Sequence, residues 1–343
     1  MPNATRLDST DALDAIETYF ARGFTDGLPV VPPTPERVDE FLHVAGLEPD
    51  TVLGVEQVRN RPLTADKVAI NAVMAGCLPA YFPVVVAVVK AITDPTFTLH
   101  GSSSSTGGSA PLIVVNGPIR NTLGMNATGN VLANGTRANA TIGRTIRLIQ
   151  MNVLGYIPGG LDCSTYGHPG KFTLCIAEDE DDSPWEPLFT ERTGIAGNGV
   201  TVMACESGHQ IMNEWTTDPT EILATYAAAM RANMLHYSIW SGNYALIVGK
   251  QLRDLIVAAG WSKDDVRAYI FEHARVKWGD WAKVGKQAVV SRNDPEKEMR
   301  ALGSPEDLLV IAAGGAAGGF GMIFPPWVGH RSKAVSHPIT DGV

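Results

Sequence analysis

Apolar residues recur along this chain at the spacing of helices in some segments and of strands in others. Ala12, Ile16 and Phe20 lie four residues apart, so they share one face of a helix. Ser9 precedes them as an N-cap and Gly23 follows them, which places a predicted helix between the two. The same periodicity predicts helices at residues 35–44, 64–92 with breaks at two prolines, 137–153, 219–234, 251–259 and 263–276.

Short apolar runs between those helices are bounded by glycine or polar turns, and this pattern predicts strands. They are residues 97–99, 112–115, 172–176, 200–204, 245–248 and 308–311. Strands that alternate with helices over the whole length predict an α/β protein, with a mixed sheet and flanking helices. Helix, strand and glycine turn follow one another twice, ending near residues 116 and 313, which leaves open two related α/β units.

These elements divide the chain into three predicted parts. They are an N-terminal helical arm (1–60), a first α/β unit (61–215) and a second α/β unit (216–343). Residues 68–89 are more apolar than one buried side of a helix requires, so we expect part of this stretch to meet another subunit of a homo-oligomer.

Composition mainly excludes classes of partner. The chain is 45% hydrophobic and 18% charged, and its net charge of −9 comes from 27 basic and 36 acidic residues without a basic run. Such a chain is a poor match for a phosphate backbone, so nucleic-acid binding is not expected. Residues 80–89 are too few to span a membrane and 308–328 contain five glycines, so no membrane association is expected either. Without a signal peptide or a CxxC pair, the protein is predicted to be cytoplasmic with reduced cysteines.

The densest group of residue types that carry chemistry surrounds Cys175. If residues 171–177 form a strand, Lys171 and Cys175 project from one face and Glu178 from the other. A nearby cation stabilises a thiolate, and His168, in a Gly-His-Pro-Gly turn, is a candidate base. His168, Lys171, Cys175 and Glu178 are therefore the predicted catalytic residues. The competing interpretation places Cys175 on the core face and Lys171 in solvent.

Two polar segments predict a binding site for an anion. Residues 100–109 are a run of glycine, serine and threonine whose N–H groups and hydroxyls suit a negative charge, unless the run is only a flexible surface loop. Two arginines on one face of the helix at 137–153 suit a carboxylate or phosphate, unless they only form surface ion pairs. The predicted substrate-binding residues are Ser102, Ser103, Thr106, Gly107, Gly108, Asn126, Arg137 and Arg144.

Cys205 and His209 lie at the end of a predicted strand and offer two ligand types for a divalent metal. Further ligands have to come from elsewhere, and no fixed motif such as HExxH is present. A divalent metal is therefore an alternative cofactor, and the sequence indicates no other.

Five sequence blocks stand out: TDGLPVVPP at 25–33, APLIVVNGP at 110–118, RANATIGR at 137–144, GHPGKF at 167–172 and SPWEPL at 183–188. The chain resembles, in these blocks, a largely uncharacterised bacterial family associated with small partner proteins of the UGSC (selenoprotein-like) type. The resemblance implies an enzyme or enzyme subunit that works with a small thiol- or selenol-bearing partner protein. It adds weight to His168, Lys171, Cys175 and Glu178, and places Cys163 and Cys205 outside the blocks.

Three functions follow as hypotheses. The first is a lyase or hydrolase with a cysteine-centred site, which acts on a small anionic molecule by addition, elimination or hydrolysis. In that enzyme Cys175 or Cys205 attacks and His168 or His209 moves protons. The second is a divalent-metal lyase or hydratase with Cys, His and Glu ligands. The third is a non-catalytic scaffold subunit that binds a partner through the apolar helices at 65–92.

Overall fold

The computed structural model describes residues 7–237, 239–290 and 293–340. Its α-helices are α1 (Ala12–Ala21), α2 (Pro35–Val44), α3 (Ala65–Ala75), α4 (Phe82–Ile92), α5 (Leu99–Ser104), α6 (Ile119–Thr122), α7 (Arg137–Asn152), α8 (Leu188–Thr193), α9 (Pro219–His236), α10 (Lys250–Ala258), α11 (Lys263–His273), α12 (Trp278–Lys283) and α13 (Gln287–Val290). Its strands are β1 (Val52–Glu56), β2 (Arg61–Thr64), β3 (Ala110–Asn116), β4 (Cys175–Ala177), β5 (Gly199–Cys205), β6 (His209–Met212), β7 (Tyr244–Val248), β8 (Arg275–Lys277), β9 (Glu298–Arg300), β10 (Leu308–Ala312), β11 (Phe320–Phe324) and β12 (Val335–Pro338).

Two four-stranded sheets dominate the fold, and they share one connectivity. Their orders are β12-β5-β3-β4 and β6-β11-β7-β10. In the first, β3 is parallel to β4 and antiparallel to β5, and in the second β7 is parallel to β10 and antiparallel to β11. The fourth strands are exchanged, because β6 follows β5 but pairs with β11, and β12 follows β11 but pairs with β5. The same pattern therefore occurs twice, and the two copies are interlocked.

Alternating side chains of the central strands divide the interior into layers. Leu112 and Val114 of β3 face Ile247 of β7 between the sheets, whereas Ile113 and Val115 pack with α2, α3, α4 and α7. On the far side of the second sheet, β7 and β10 pack against α9, α10, α11 and α12. The result is a four-layer arrangement of helices, sheet, sheet and helices. It confirms the predicted α/β class, with two mixed sheets rather than one.

Four of the predicted strands lie within β3, β5, β7 and β10, and two predictions need correction. Residues 97–99 are not a strand, because the Asp94 side chain caps a 3₁₀ turn at Pro95–Phe97 and Thr98 follows with φ +57°. The strand predicted at 172–176 begins only at Cys175. A 3₁₀ turn at Pro169–Lys171 precedes it, so local turn chemistry overrides the β-rich composition there.

The apolar stretch 68–89 lies inside the protein's own core. Val68 and Val85 are fully buried, and α3 and α4 pack against α7 and β5. Its composition therefore requires no second subunit, and the scaffold hypothesis loses the exposed apolar surface on which it depended. The homo-oligomer and the three-part division of the chain stay predictions, although β12, from the predicted second unit, pairs within the first sheet.

No single helix within 7–237, 239–290 and 293–340 has the length and apolar character to cross a membrane. The segments Pro79–Ile92 and Pro95–Ser104 meet that criterion only as a pair, bent by 71°.

Candidate functional site

The two sheets meet where β5 and β11 end. Cys205 and Pro326 form an antiparallel bridge there, and the Glu206 N–H donates to the Pro325 carbonyl at 2.9 Å. The Trp327 N–H donates to the Ala204 carbonyl at 3.1 Å. Because the exchanged strands β6 and β12 begin just beyond this point, the chain crosses between the sheets here twice.

The glycine pair Gly107-Gly108 lies directly against this crossing. A Cβ on Gly107 would lie 2.6 Å from Tyr237 Oη and 3.0 Å from Glu206 Oε1. Gly108 has φ +84°, and a Cβ on it would lie 2.8 Å from the Cα of Gly167. Gly108 therefore needs glycine, because its φ is positive and the backbone of Gly167 occupies the space of a Cβ, whereas a side chain at Gly107 would displace Tyr237 or Glu206. The structure thus brings the predicted loop (Thr106, Gly107 and Gly108) next to the turn at His168–Lys171. The Thr165 N–H also donates to the Thr106 carbonyl at 3.0 Å.

Glu206 supplies the site with a carboxyl group that is a weaker acid than usual. It is 8% exposed and accepts a hydrogen bond of 2.6 Å from Tyr237 Oη. Burial raises the pKa of Glu206 to about 7, against the opposing effects of the Tyr237 hydrogen bond and the Lys171 charge. A carboxyl group with this pKa is present in both protonation states near neutral pH, as a general acid or base must be.

Asp162, which is 3% exposed, holds two cations beside Glu206. Arg147 Nη2 donates to Asp162 Oδ2 at 2.9 Å, and Lys171 Nζ donates to both carboxylate oxygens at 2.9 and 2.7 Å. Burial alone would raise the pKa of Asp162, but hydrogen bonds from Lys171 and Ser164 outweigh it and hold the value at about 2. Asp162 is therefore an anion at every ordinary pH.

Lys171 also donates to Ser164 Oγ at 2.6 Å, so the amine joins the carboxylate to a half-buried hydroxyl. Burial lowers the pKa of Lys171, and the contacts with Asp162 oppose that change. With Arg147, the cluster contains two cations and one permanent anion, so it carries one uncompensated positive charge when Glu206 is protonated.

His168 lies at the edge of the same cluster. Its Nδ1 accepts a hydrogen bond from the Gly170 N–H at 3.1 Å, which places the proton of the neutral ring on Nε2. Burial lowers the pKa of His168, and the Cys205 backbone partly opposes that change. The buried Nε2 atom has no hydrogen-bond partner in the described residues. His168 is therefore a neutral imidazole near pH 7, in the region where the sequence predicts it to act.

Cys175 does not belong to this group. Its strand starts at Cys175 itself, so the period-two argument never reaches Lys171, and the side chain is buried in the core between the first sheet and its helices. Burial, assisted by the nearby Cys77, raises the pKa of the Cys175 thiol. A buried neutral thiol is a poor nucleophile, so the competing core interpretation of Cys175 is the one that the structure matches.

Glu178 is buried away from Lys171 and joins several elements. Its carboxylate accepts from Asn116 Nδ2 at 2.7 Å, from the Leu188 N–H at 2.7 Å and from Lys263 Nζ at 3.1 Å. The Ala312 N–H at the end of β10 adds a fourth bond of 3.3 Å. The carboxylate therefore cross-links the two sheets, and the structure does not bring it into the cluster around Lys171 and Glu206.

Ser102 and Ser103 are also placed differently from the prediction, because residues 99–104 form α5 rather than a loop. Ser102 Oγ donates back to the Leu99 carbonyl at 3.1 Å, and Ser103 Oγ accepts from Gln150 Nε2 at 3.2 Å. Both hydroxyls are buried and already bonded. Of the predicted binding residues in this run, Thr106 is exposed, Gly107 is half-buried and Gly108 is buried.

The remaining predicted binding residues support other parts of the structure. The Asn126 side chain bonds within its own loop, and its carbonyl accepts from the Ala177 N–H at the far end of β4 from Lys171. Arg137 Nε donates to the Gly76 carbonyl at 2.9 Å. Arg144 binds both oxygens of Asp26 at 2.7 Å. These contacts fix loops and the N-terminal arm, and they bring none of the three residues to Glu206.

Arg144→Met tests the structural role of that arginine. The guanidinium also donates to the carbonyls of Leu28 and Pro29 at 3.2 and 2.9 Å, so its loss leaves the buried Asp26 carboxylate without its cation. We expect a decrease of about 2 kcal/mol in the free energy of unfolding and faster proteolysis in residues 23–33. Arg137→Met, on the same helix, is the matched control and should cost much less; equal losses from the two variants would contradict this assignment.

Cys205 and His209 do not form a metal site. Cys205 is buried and its Sγ donates to the Ala110 carbonyl at 3.5 Å, and burial raises the pKa of its thiol well above the usual value. The His209 ring lies 5.7 Å from that of His236, and burial lowers the pKa of His209. Within the described ranges, no three His, Cys, Asp or Glu side chains are grouped as metal ligands. The predicted pair therefore lacks a ligand set.

The four cysteines are free, and they give a direct test of the buried-thiol assignment. Cys163 is exposed, whereas Cys77, Cys175 and Cys205 are buried. We expect iodoacetamide to label native protein at Cys163 alone and to label the other three only after unfolding, as read by peptide mass spectrometry. Cys163→Ser is the control and should leave the native protein unlabelled. Rapid labelling of Cys175 in folded protein would show that it is accessible after all.

The sequence prediction assigned no role to five residues of this site: Arg147, Asp162, Ser164, Glu206 and Tyr237. Glu206 is adjacent to the predicted Cys205, and Arg147 is on the predicted arginine helix. Asp162 and Ser164 stand just ahead of the predicted turn, so their closeness in sequence was a usable signal. Tyr237 is 31 residues from Glu206, and no pattern joins the two in the sequence.

Comparisons of this chain with protein-family models, with curated proteins and with solved structures find no match in any of the three. The resemblance to the bacterial family therefore stays a prediction, and function has to be inferred from the geometry of the site.

Proposed function

We propose that the protein is an acid–base enzyme that acts on a small anionic molecule, by addition, elimination or hydrolysis. Glu206 takes the place that the sequence assigned to a cysteine. The observation that carries the proposal is the buried Glu206 carboxyl, whose pKa is raised to about 7 beside Lys171 and beneath Gly107. A strongly shifted carboxyl with specific charged neighbours is typical of a catalytic acid or base.

The charges around Glu206 favour an anionic substrate. Arg147 and Lys171 share the single carboxylate of Asp162, which leaves one positive charge without a partner while Glu206 is protonated. A substrate carboxylate next to Lys171 and Ser164 balances that charge. This local excess of positive charge contrasts with the net charge of −9 of the whole chain.

We assign roles in the reaction to Glu206, Lys171, Tyr237 and Asp162. Ionised Glu206 removes a proton from the carbon next to the substrate carboxylate, and protonated Glu206 returns one to the leaving or product group. Lys171 stabilises the negative charge that develops on the substrate. Tyr237 holds the Glu206 carboxyl through its 2.6 Å hydrogen bond, and Asp162 fixes the position of Lys171. We place this activity in the cytoplasm, where the free cysteines are stable. A thiol- or selenol-bearing partner protein stays a prediction.

Proton abstraction can be measured before the substrate is identified. We expect the protein in D₂O to catalyse exchange of carbon-bound hydrogen, followed by ¹H NMR, in at least one member of a panel of small hydroxy, oxo and unsaturated carboxylic acids. Glu206→Gln should lower that exchange at least about 100-fold, since it removes the base. Glu17→Gln, an exposed carboxyl on α1, is the matched control and should leave the rate unchanged. Exchange that survives Glu206→Gln, or a panel without any exchange or hydrolysis, would contradict the proposal.

A further inference from the structure

A cavity of about 580 Å³ lies where the N-terminal arm covers α3 and the end of α7. Its volume is within the range of small-molecule pockets, roughly 300 to 1,000 Å³. None of its lining residues belongs to the Glu206 site. The cavity is therefore a separate place where a ligand can bind.

One part of this cavity is apolar and aromatic. Tyr19 and Phe24 line it with their ring centroids 6.3 Å apart and their planes tilted by 52°, and Ile70 and Met74 of α3 complete the wall. Burial raises the pKa of the Tyr19 phenol, so the ring is neutral. Tilted rings and a flexible methionine form a surface that suits a flat apolar group such as a benzyl ring.

The other part carries opposite charges that do not meet. Lys67 of α3, Asp39 of α2 and Asp8 before α1 line the cavity, and none of these side chains forms an ion pair or hydrogen bond within the described part of the chain. A cation and a carboxylate that line one cavity without pairing with each other match a ligand with a negative group and a positive group of its own.

Amide groups on the cavity wall are largely engaged with each other. Asn152 Nδ2 donates to Asn71 Oδ1 at 2.8 Å and to the Phe24 carbonyl at 3.0 Å. Asn71 Nδ2 donates to the Lys67 carbonyl at 2.8 Å. These bonds fix the wall between the aromatic part and Lys67, so the distance between the two parts of the cavity is set by the protein and not by the ligand.

We propose that this cavity binds a free α-amino acid with an aromatic side chain. The ring packs against Tyr19, Phe24 and Met74, the carboxylate faces Lys67, and the ammonium group faces Asp39. The site is independent of the proposed function, since it shares no residue with the Glu206 cluster.

Three probes with the same phenyl group and different charged groups test the proposal: L-phenylalanine, 3-phenylpropionate, which lacks the ammonium group, and 2-phenylethylamine, which lacks the carboxylate. By titration calorimetry we expect saturable binding of phenylalanine with a Kd below about 1 mM, at least about tenfold tighter than either singly charged probe. The methyl resonance of Met74, assigned with Met74→Leu, should shift on binding. No saturable binding of phenylalanine up to about 10 mM, or equal binding of one singly charged probe, overturns the proposal.

Variants locate the site. We expect phenylalanine binding to be at least about tenfold weaker in Lys67→Met and in Asp39→Asn. The controls are Lys297→Met and Glu36→Gln, whose side chains lie outside the cavity. Both controls should bind phenylalanine as the unmodified protein does. Thr18→Trp fills the cavity from the half-exposed side of α1 and should abolish binding while the circular dichroism spectrum is kept. Unchanged affinity in folded Lys67→Met or Thr18→Trp protein overturns the proposal.

Discussion

Glu206→Gln should raise the free energy of unfolding at pH 8 by about 3 kcal/mol, and the gain should vanish below about pH 4.5. The folded-state pKa of Glu206 is raised from 4.5 to about 7, because burial disfavours the carboxylate. Between these two values the folded state retains a proton that the unfolded state has lost, so stability falls as pH rises through this window. Glutamine has no proton to lose, and its amide oxygen still accepts the Tyr237 hydrogen bond.

Urea unfolding at several pH values measures this effect. Glu17→Gln, at an exposed position of α1, is the control and should change stability by less than about 0.5 kcal/mol. Tyr237→Phe should raise the pKa of Glu206 further, because the Tyr237 hydrogen bond lowers it. The site is then one at which the native residue costs stability, as expected where a group is retained for activity. A Glu206→Gln gain that is the same at pH 4 and pH 8 would show that the Glu206 pKa is not raised.

Asp162→Ala should have the opposite effect and lower the free energy of unfolding by about 3 to 5 kcal/mol. Asp162 accepts hydrogen bonds from Arg147 and Lys171, whose side chains are only 10% and 15% exposed. Removing the carboxylate leaves two largely buried cations side by side without a permanent counter-ion. The loss is therefore greater than the value of the ion pairs themselves, because it includes repulsion between the cations.

The double variant Asp162→Ala/Lys171→Met separates that repulsion from simple loss of packing. It should recover at least about 1 kcal/mol relative to Asp162→Ala, since one of the two unpaired cations is gone. Asp181→Ala is the control for removal of an aspartate, because its side chain is 64% exposed and should contribute less than about 1 kcal/mol. A double variant less stable than Asp162→Ala would mean that the two cations do not repel each other.

Strands were predictable from the sequence where the apolar pattern of one segment matched the burial of that segment in the structure. Residues 112–115 are apolar in an unbroken run, and β3 is buried on both faces, between the helices on one side and the second sheet on the other. The run at 172–176 has a similar composition but follows the 3₁₀ turn that ends at Lys171. Local turn geometry, not composition, decided where that strand begins.

The candidate site was predictable only in part. Gly107, Gly108, His168 and Lys171 belong to short segments whose residue types already indicate a site, and the structure brings those segments together. Glu206 and Tyr237 meet only because α9 returns its last turn to the end of β5, a contact across 31 positions. Such a contact depends on tertiary packing, which cannot be inferred from the spacing of residues in one sequence.

The exchange of β6 and β12 has a consequence for the order in which the chain can fold during synthesis. The edge of β5 in the first sheet is covered by Val335–Pro338, which the ribosome makes more than 100 residues after β5 itself. Until that segment emerges, the nascent first sheet presents an open strand edge, the kind of surface on which chains associate wrongly. The first sheet therefore cannot be completed before Val335–Pro338 has been made, and a chaperone that shields the β5 edge until then should raise the yield of folded protein.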